Sequence, residues 1–285
     1  MNQDSIVNYL TIDVEDYYQV SAFEEVVTPS MWDSMPSRVE RNTQILLDML
    51  DAFKTRATFF VVGWIAERHP NLVRSIIDRG HEIGCHSYLH RRVYTLTPAE
   101  FRDDTKKAKD ILENICEQVV LGYRAPSYSI TSNSLWALDI LAALGFKYDS
   151  SVFPICHDIY GIPGAPRFPY VLPGCDMVEL PISTARVLGR NIPVAGGGYF
   201  RLFPYCITRF LLRKINREDK RPFVFYLHPW EVDPGQPRFS QASLFSRFRH
   251  YNNLNKTAGR FRQLLQDFSF GAIPHDGGME SSSVV

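Results

Sequence analysis

Apolar residues recur along this chain with two alternating periods. Short runs rich in β-branched and aromatic residues read as strands: Val7 to Ile12, Ala57 to Val62, His81 to Cys85, Val119 to Tyr123, Phe146 to Tyr148, Met177 to Leu180 and Phe223 to Leu227. Between them lie stretches with helical spacing. From Arg38 to Phe53 the apolar positions are Val39, Ile45, Leu46, Met49, Leu50 and Phe53. Leu72 to Ile77 predicts a helix closed by Gly80, and Pro204 to Ile215 and Asn255 to Phe268 predict two more. Thr97 opens another that runs to Cys116, with Pro98 in its first turn and Glu100 three positions on, a capping-box arrangement. Ser132 or Asn133 is expected to cap a helix through Leu144.

Strands alternating with helices predict an α/β architecture in which helices cross over the outside of parallel strands. The regularity lapses between Ser150 and Gly198, which holds seven of the 18 prolines, so irregular loop decorating one face is expected there. Past Ile273 the apolar periodicity ends. Residues 1–273 therefore read as one domain and 274–285 as a disordered tail.

The 31 basic residues balance 31 acidic ones, and 45% of the chain is apolar, which argues against a disordered chain and offers no basic field for nucleic acid. No apolar run approaches the roughly 20 residues that cross a bilayer. The N-terminal residues show neither the basic start nor the apolar stretch of a secretion signal, and Asp13 interrupts the first hydrophobic segment. A cytoplasmic location is the expectation. Five cysteines (Cys85, Cys116, Cys156, Cys175, Cys206) are scattered without a C-x-x-C pair, so neither a disulfide framework nor a thiolate zinc site fits, and buried small hydrophobes are expected instead.

The informative feature is where polar residues fall. The first strand ends in Asp13-Val-Glu15-Asp16, the third in His86-Ser-Tyr-Leu-His90, and the fourth in Arg124-Ala-Pro-Ser-Tyr128. The fifth ends in Asp149-Ser-Ser151, and Phe223 to Leu227 ends in His228-Pro-Trp230-Glu231. In a parallel barrel or open sheet these ends share the face where catalysis is found. His86 and His90, four apart, would present two imidazoles to one ion from a helical turn, with a carboxylate of the first cluster as third ligand. Two histidines and a carboxylate leave coordination positions open, as hydrolytic zinc and non-haem iron sites do. Asp13, directly after an apolar strand, needs a buried partner, and Arg124 is the candidate. His228 becomes a candidate general acid. Trp230, Tyr199 and Phe200 are candidates for a sugar subsite or for core. Glycosidase chemistry needs two carboxylates across a bond and explains neither the histidine pair nor Arg124.

With these residues in place, the sequence resembles the polysaccharide deacetylases of the carbohydrate esterase family four type, over Val7 to Pro234. The resemblance implies a distorted (β/α) barrel of about seven strands. It also implies removal of acetyl groups from N-acetylated sugars of a poly- or oligosaccharide, with a divalent metal, zinc by preference. It makes Asp13 the general base, His86 and His90 metal ligands, Arg124 the residue that orients the base, and His228 the general acid. The backbone of Tyr128 would help bind the oxyanion. The family's adjacent aspartates are not matched, because Val14 follows Asp13; the third ligand is then Glu15 or Asp16, with Asp16 preferred on length and residue type. The family's acidic partner for the last histidine is not legible either, and Asp149, Asp176 or Glu179 is the stand-in expected by position. The Asp13-to-Tyr18 opening, the Gly196-to-Arg201 run and the His-Pro-Trp-Glu ending look like the exosortase-associated exopolysaccharide branch, which implies peripheral association with membrane polysaccharide machinery. Cyclic-amide hydrolases of the allantoinase type, and an inactive carbohydrate-binding homologue, are the rival readings.

Overall fold

The computed structural model describes residues 6–157 and 159–274; the rest of the expected tail, 275–285, lies outside the described residues. The chain opens with β1 (Val7–Val14), followed by α1 (Val39–Ala52), β2 (Thr58–Val61), α2 (Gly63–Arg68) and α3 (Pro70–Asp78). Next come β3 (Glu82–Cys85), α4 (Pro98–Cys116), β4 (Gly122–Tyr123), α5 (Trp136–Ala143) and β5 (Tyr148–Asp149). The irregular stretch contributes β6 (Tyr170–Val171), β7 (Val178–Glu179) and the pair β8 (Thr184–Val187) and β9 (Arg190–Pro193). The chain continues with α6 (Gly197–Leu202), α7 (Tyr205–Lys214), β10 (Val224–Leu227), α8 (Leu244–Tyr251), α9 (Leu254–Asp267) and β11 (Ser269–Gly271).

The main sheet has the order β10-β1-β2-β3-β4-β5-β7-β6, with β11 also paired to β1. From β10 through β7 all pairings are parallel, and only the edge strand β6 runs antiparallel. These seven parallel strands form the curled half-barrel of the expected α/β fold. Strands β2, β3 and β10 are buried at every position because helices cover the outside and side chains fill the inside, which is why apolar residues run consecutively through 59–61 of β2 and all of β10.

Several expected elements shift. The predicted strand from Val119 narrows to two residues. Its Gly122 lies against the Tyr148 ring, where a Cβ would approach the phenol carbon to 2.1 Å. The capping box at Thr97 forms, with Thr97 Oγ1 accepting from the Glu100 N–H at 3.3 Å and Glu100 Oε2 accepting from the Thr97 N–H at 2.8 Å. Neither Ser132 nor Asn133 caps α5, which starts later, at Trp136; Ser134 Oγ instead closes the preceding turn by accepting from the Thr131 N–H. The proline-rich stretch is less irregular than its composition suggests, since β8 and β9 form a hairpin through Leu188 and Gly189, both at positive φ. Only Cys85 is a buried cysteine; Cys156 and Cys206 are exposed.

Candidate active site

The catalytic face collects the ends of β1, β3, β4 and β10. Asp13 is the penultimate residue of β1 and is 2% exposed. Arg124, fully buried after β4, donates from Nη1 to Asp13 Oδ1 and to Thr11 Oγ1, both at 2.7 Å. The rest of its fork is spent on the loop after β5: Nε donates to Ser150 O at 3.0 Å and Nη2 to Ser150 Oγ at 2.8 Å. The Phe60 ring lies 4.3 Å from its guanidinium carbon. Five fixed contacts leave this cation one geometry, so the carboxylate it holds has one as well.

His86 and His90 do come together, with ring centroids 5.0 Å apart, but not from a helix. The segment is an irregular turn in which Ser87 and His90 both take positive φ, and Ser87 Oγ accepts from the His90 N–H at 3.0 Å. The Arg124 carbonyl can only accept, so His86 Nδ1, 2.7 Å away, carries the proton and Nε2 presents a lone pair. Burial pushes the His86 imidazole down to about 4, which keeps it in the neutral form a metal requires.

The third member of this cluster is Glu15. One ligand atom from each of Glu15, His86 and His90 lies within 4.8 Å of the others, and all three residues are buried. Asp16, the preferred ligand on sequence, is elsewhere. Its Oδ2 accepts from the Arg38 and Val39 N–H groups at 2.8 and 3.2 Å and from Ser37 Oγ at 2.7 Å. It thus caps the start of α1, where amide dipoles favour a carboxylate, while its Oδ1 accepts from the Tyr17 N–H at 2.9 Å. The strand geometry of β1 continues to Val14, so Glu15 falls on the side of Asp13.

The three-residue cluster fits a cation. His90 Nε2 and Glu15 Oε2 approach to 2.6 Å, yet Glu15 Oε2 is left without a hydrogen-bond donor. A carboxylate oxygen orphaned in a buried site is costly unless a positive charge completes it. Burial alone would raise the Glu15 carboxyl; the rings of His90 and His228 outweigh it and hold it below the carboxylate range. Its other oxygen, Oε1, accepts from Trp230 Nε1 at 2.9 Å, so Trp230 is a buried orienting residue and not an open sugar platform. Phe200 is likewise core, while Tyr199 is half-buried.

His228 faces the cluster from β10, with Nε2 3.6 Å from Glu15 Oε1 and 3.9 Å from Asp13 Oδ2. Its partner is none of Asp149, Asp176 and Glu179. Glu231, three residues on in the turn Pro229–Val232, accepts from His228 Nδ1 at 2.6 Å through Oε1. Arg201 completes the arrangement by donating from Nε to Glu231 Oε2 at 2.6 Å. Gly196 and Gly197, both at positive φ, let the chain lie against Tyr226 of β10, whose N–H donates to Ala195 O at 3.0 Å; α6 starts there and delivers Arg201. Burial works against charge on His228, but the carboxylates of Glu15, Glu231 and Asp13 overcome it and raise the imidazole to about 9. A His-x-x-Glu spacing across a Pro-led turn was the available signal for Glu231; nothing local to Arg201 announced its role.

Asp149 and Glu179 pair with each other at adjoining ends of β5 and β7. Burial raises both carboxyls, and a single proton held between them would satisfy Asp149 Oδ2 and Glu179 Oε2, which find no other donor. Tyr128 also departs from the role the resemblance implies. Its N–H donates to Ala125 O at 3.1 Å, and Ser127 and Tyr128 are both held at φ of 53°. What Tyr128 offers the site is its hydroxyl, 3.4 Å from Asp13 Oδ2.

Comparison with known proteins bears on the family and the fold. A polysaccharide deacetylase family model matches residues 24–148, and a domain of unknown function (DUF3473) matches 150–275. The second match supplies β7 and β10 to the same sheet, together with His228, Glu231 and Arg201. A peptidoglycan-N-acetylglucosamine deacetylase of Bacillus cereus is 35% identical over 98 residues, 34% of this chain and 36% of that protein. A chitooligosaccharide deacetylase of a Bradyrhizobium species is 31% identical over 100 residues, 35% of this chain and 43% of that protein. The matches thus span well under half the length of these relatives. Among solved structures, a Mycobacterium smegmatis protein classed with the polysaccharide deacetylases superposes with a TM-score of 0.61 at 22% identity, over 96% of this chain and 90% of that one. A family 4 carbohydrate esterase from Streptomyces lividans gives 0.51 at 16% identity, over 96% of both chains. These two likenesses establish the shared fold. Residues 24–148 thus match the polysaccharide deacetylase family, and the chain as a whole shares the fold of these solved structures.

Proposed function

We propose that this protein is a metal-dependent hydrolase that removes acetyl groups from N-acetylated sugars of a poly- or oligosaccharide, in exopolysaccharide biosynthesis. The observation that carries the reading is the convergence of Glu15, His86 and His90 beside an arginine-held Asp13 and a glutamate-held His228. A divalent ion on the three ligands, zinc by preference, would supply polarisation of the acetamide carbonyl and a more acidic water. Asp13, its Oδ1 fixed by Arg124, takes the proton of the attacking water at Oδ2. His228 presents a protonated Nε2 on the same side and gives its proton to the departing amine, while Glu231 keeps Nδ1–H aligned. The deep burial of Asp13, Glu15 and His86 keeps bulk water from competing for these groups.

Acetate release from N-acetylated chitooligosaccharides tests the reading. Chelation is expected to abolish release and zinc to restore it, with Glu15→Ala losing the response to zinc and Asp16→Asn keeping it. Release that survives chelation overturns the metal-dependent scheme, and turnover of small cyclic amides in place of acetylated sugars overturns the substrate class.

A further inference from the structure

The helix α8 carries its polarity the wrong way round for a helix on a water-facing surface. Leu244, Phe245 and Phe248 are 81%, 63% and 57% exposed, while the polar His250 is buried. At about 100° per residue, Leu244, Phe248 and Phe245 fall within one narrow arc, Arg247 and Arg249 border it on its two sides, and His250 lies opposite. The Arg249 guanidinium sits 4.8 Å from the Phe245 ring, so positive charge is held against the edge of the apolar strip. The surrounding sequence has a single sign. Residues 234–266 contain Arg238, Arg247, Arg249, Lys256, Arg260 and Arg262 and not one acid, in a chain whose overall charge is zero.

A protruding apolar strip bordered by guanidinium groups matches an anionic bilayer surface in both respects: the apolar side chains reach the acyl boundary while the cations meet headgroup phosphates. We propose that α8 docks this protein on an anionic lipid membrane. The helix is tied to the catalytic groups from behind, because His250 stacks on Trp230 with centroids 4.1 Å apart and Trp230 bonds Glu15. Docking therefore holds the site beside the bilayer, as suits a saccharide presented at a membrane. The proposal does not depend on which bond the site cleaves.

Sedimentation of the full chain with vesicles tests it, using phosphatidylcholine alone or mixed with phosphatidylglycerol. Binding is expected to the mixed vesicles only and to weaken in high salt. Phe245→Ser with Phe248→Ser is expected to lower binding at least tenfold and Arg247→Glu several-fold, both leaving turnover of a soluble oligosaccharide unchanged. Circular dichroism shows whether each variant is folded, and Arg247→Glu, which leaves the apolar strip intact, serves if the double variant is not. Failure to bind mixed vesicles, or binding that both variants retain, overturns the proposal. A concentration-dependent dimer abolished by the same substitutions, without vesicle binding, assigns the face to a second copy and overturns it as well. So does loss of soluble-oligosaccharide turnover without vesicle binding, which assigns the strip to the substrate.

Discussion

Two buried arginines hold the two sides of the site, and they do it by different routes. Arg124 reaches Asp13 across 111 positions of sequence and touches the functional carboxylate itself. Arg201 stands one residue further back: it pairs with Glu231, which in turn holds His228 only three positions away. The first arrangement exists only when β1, β4 and the loop after β5 are assembled, so the geometry of Asp13 is a property of the whole sheet. The second is built largely within one turn at the end of β10 and needs the rest of the chain only to bring Arg201. Burial also weighs on the two sides differently, since Arg124 forms five polar and aromatic contacts while Glu231 is a fully buried anion held by one cation, one imidazole and one backbone N–H.

The sharpest break of this comparison is chemical. Asp13→Asn keeps the volume and the contact to Arg124 but removes the proposed base, and deacetylation is expected to fall by about 10²–10⁴ with metal content unchanged. Full activity in that variant would remove Asp13 from the role. Stability separates the two arginines next. Arg201→Met leaves Glu231 with only the imidazole and N–H of His228, frees the His250 and Asn252 carbonyls, and is expected to cost about 3–5 kcal/mol in denaturant unfolding, partly regained in Arg201→Lys. A cost below about 1 kcal/mol would mean that His228 suffices as counter-charge.

The pH dependence sharpens the His228 side. In chelated protein its folded value is raised to about 9 from the ordinary 6.5, so protonation favours the folded state. That contribution is fully present below 6.5 and is lost as pH rises through about 9. Thermal melts of the chelated protein and of His228→Gln should converge across that window, and in Glu231→Gln the window should narrow from its alkaline end. The smallest effect is expected at Asp149. Because one proton suffices for the Asp149–Glu179 pair, Asp149→Asn can donate in its place and is expected to change stability by no more than about 1 kcal/mol. A larger loss would show that the pair carries charge.

Much of the site was legible because its residues follow apolar strands directly. Asp13, Arg124 and His228 each come at or just past the last residues of a strand whose apolar character is unmistakable, so the shared face followed from topology. The choice between Glu15 and Asp16 was not legible, because it turns on whether the chain stays extended through Val14 and on which carboxylate the free amides of α1 capture. The partner of His228 does not come from the distant strand-end acids. It lies in the same turn, because Pro229 bends the chain so that the third residue on folds back over the imidazole.

The sequence by itself determined the parallel α/β order, the faces of α1 and α4, and the gathering of ionisable residues at one end of the sheet. Those features follow from local periodicity and from the rule that successive parallel strands point the same way. Only the tertiary structure decided that Glu15 and not Asp16 meets the histidines, that Arg201 stands behind Glu231, and that α8 turns its phenylalanines outward. The first two are settled by competition among buried groups for a limited number of donors, acceptors and counter-charges, and all three depend on distances that exist only once the chain has folded.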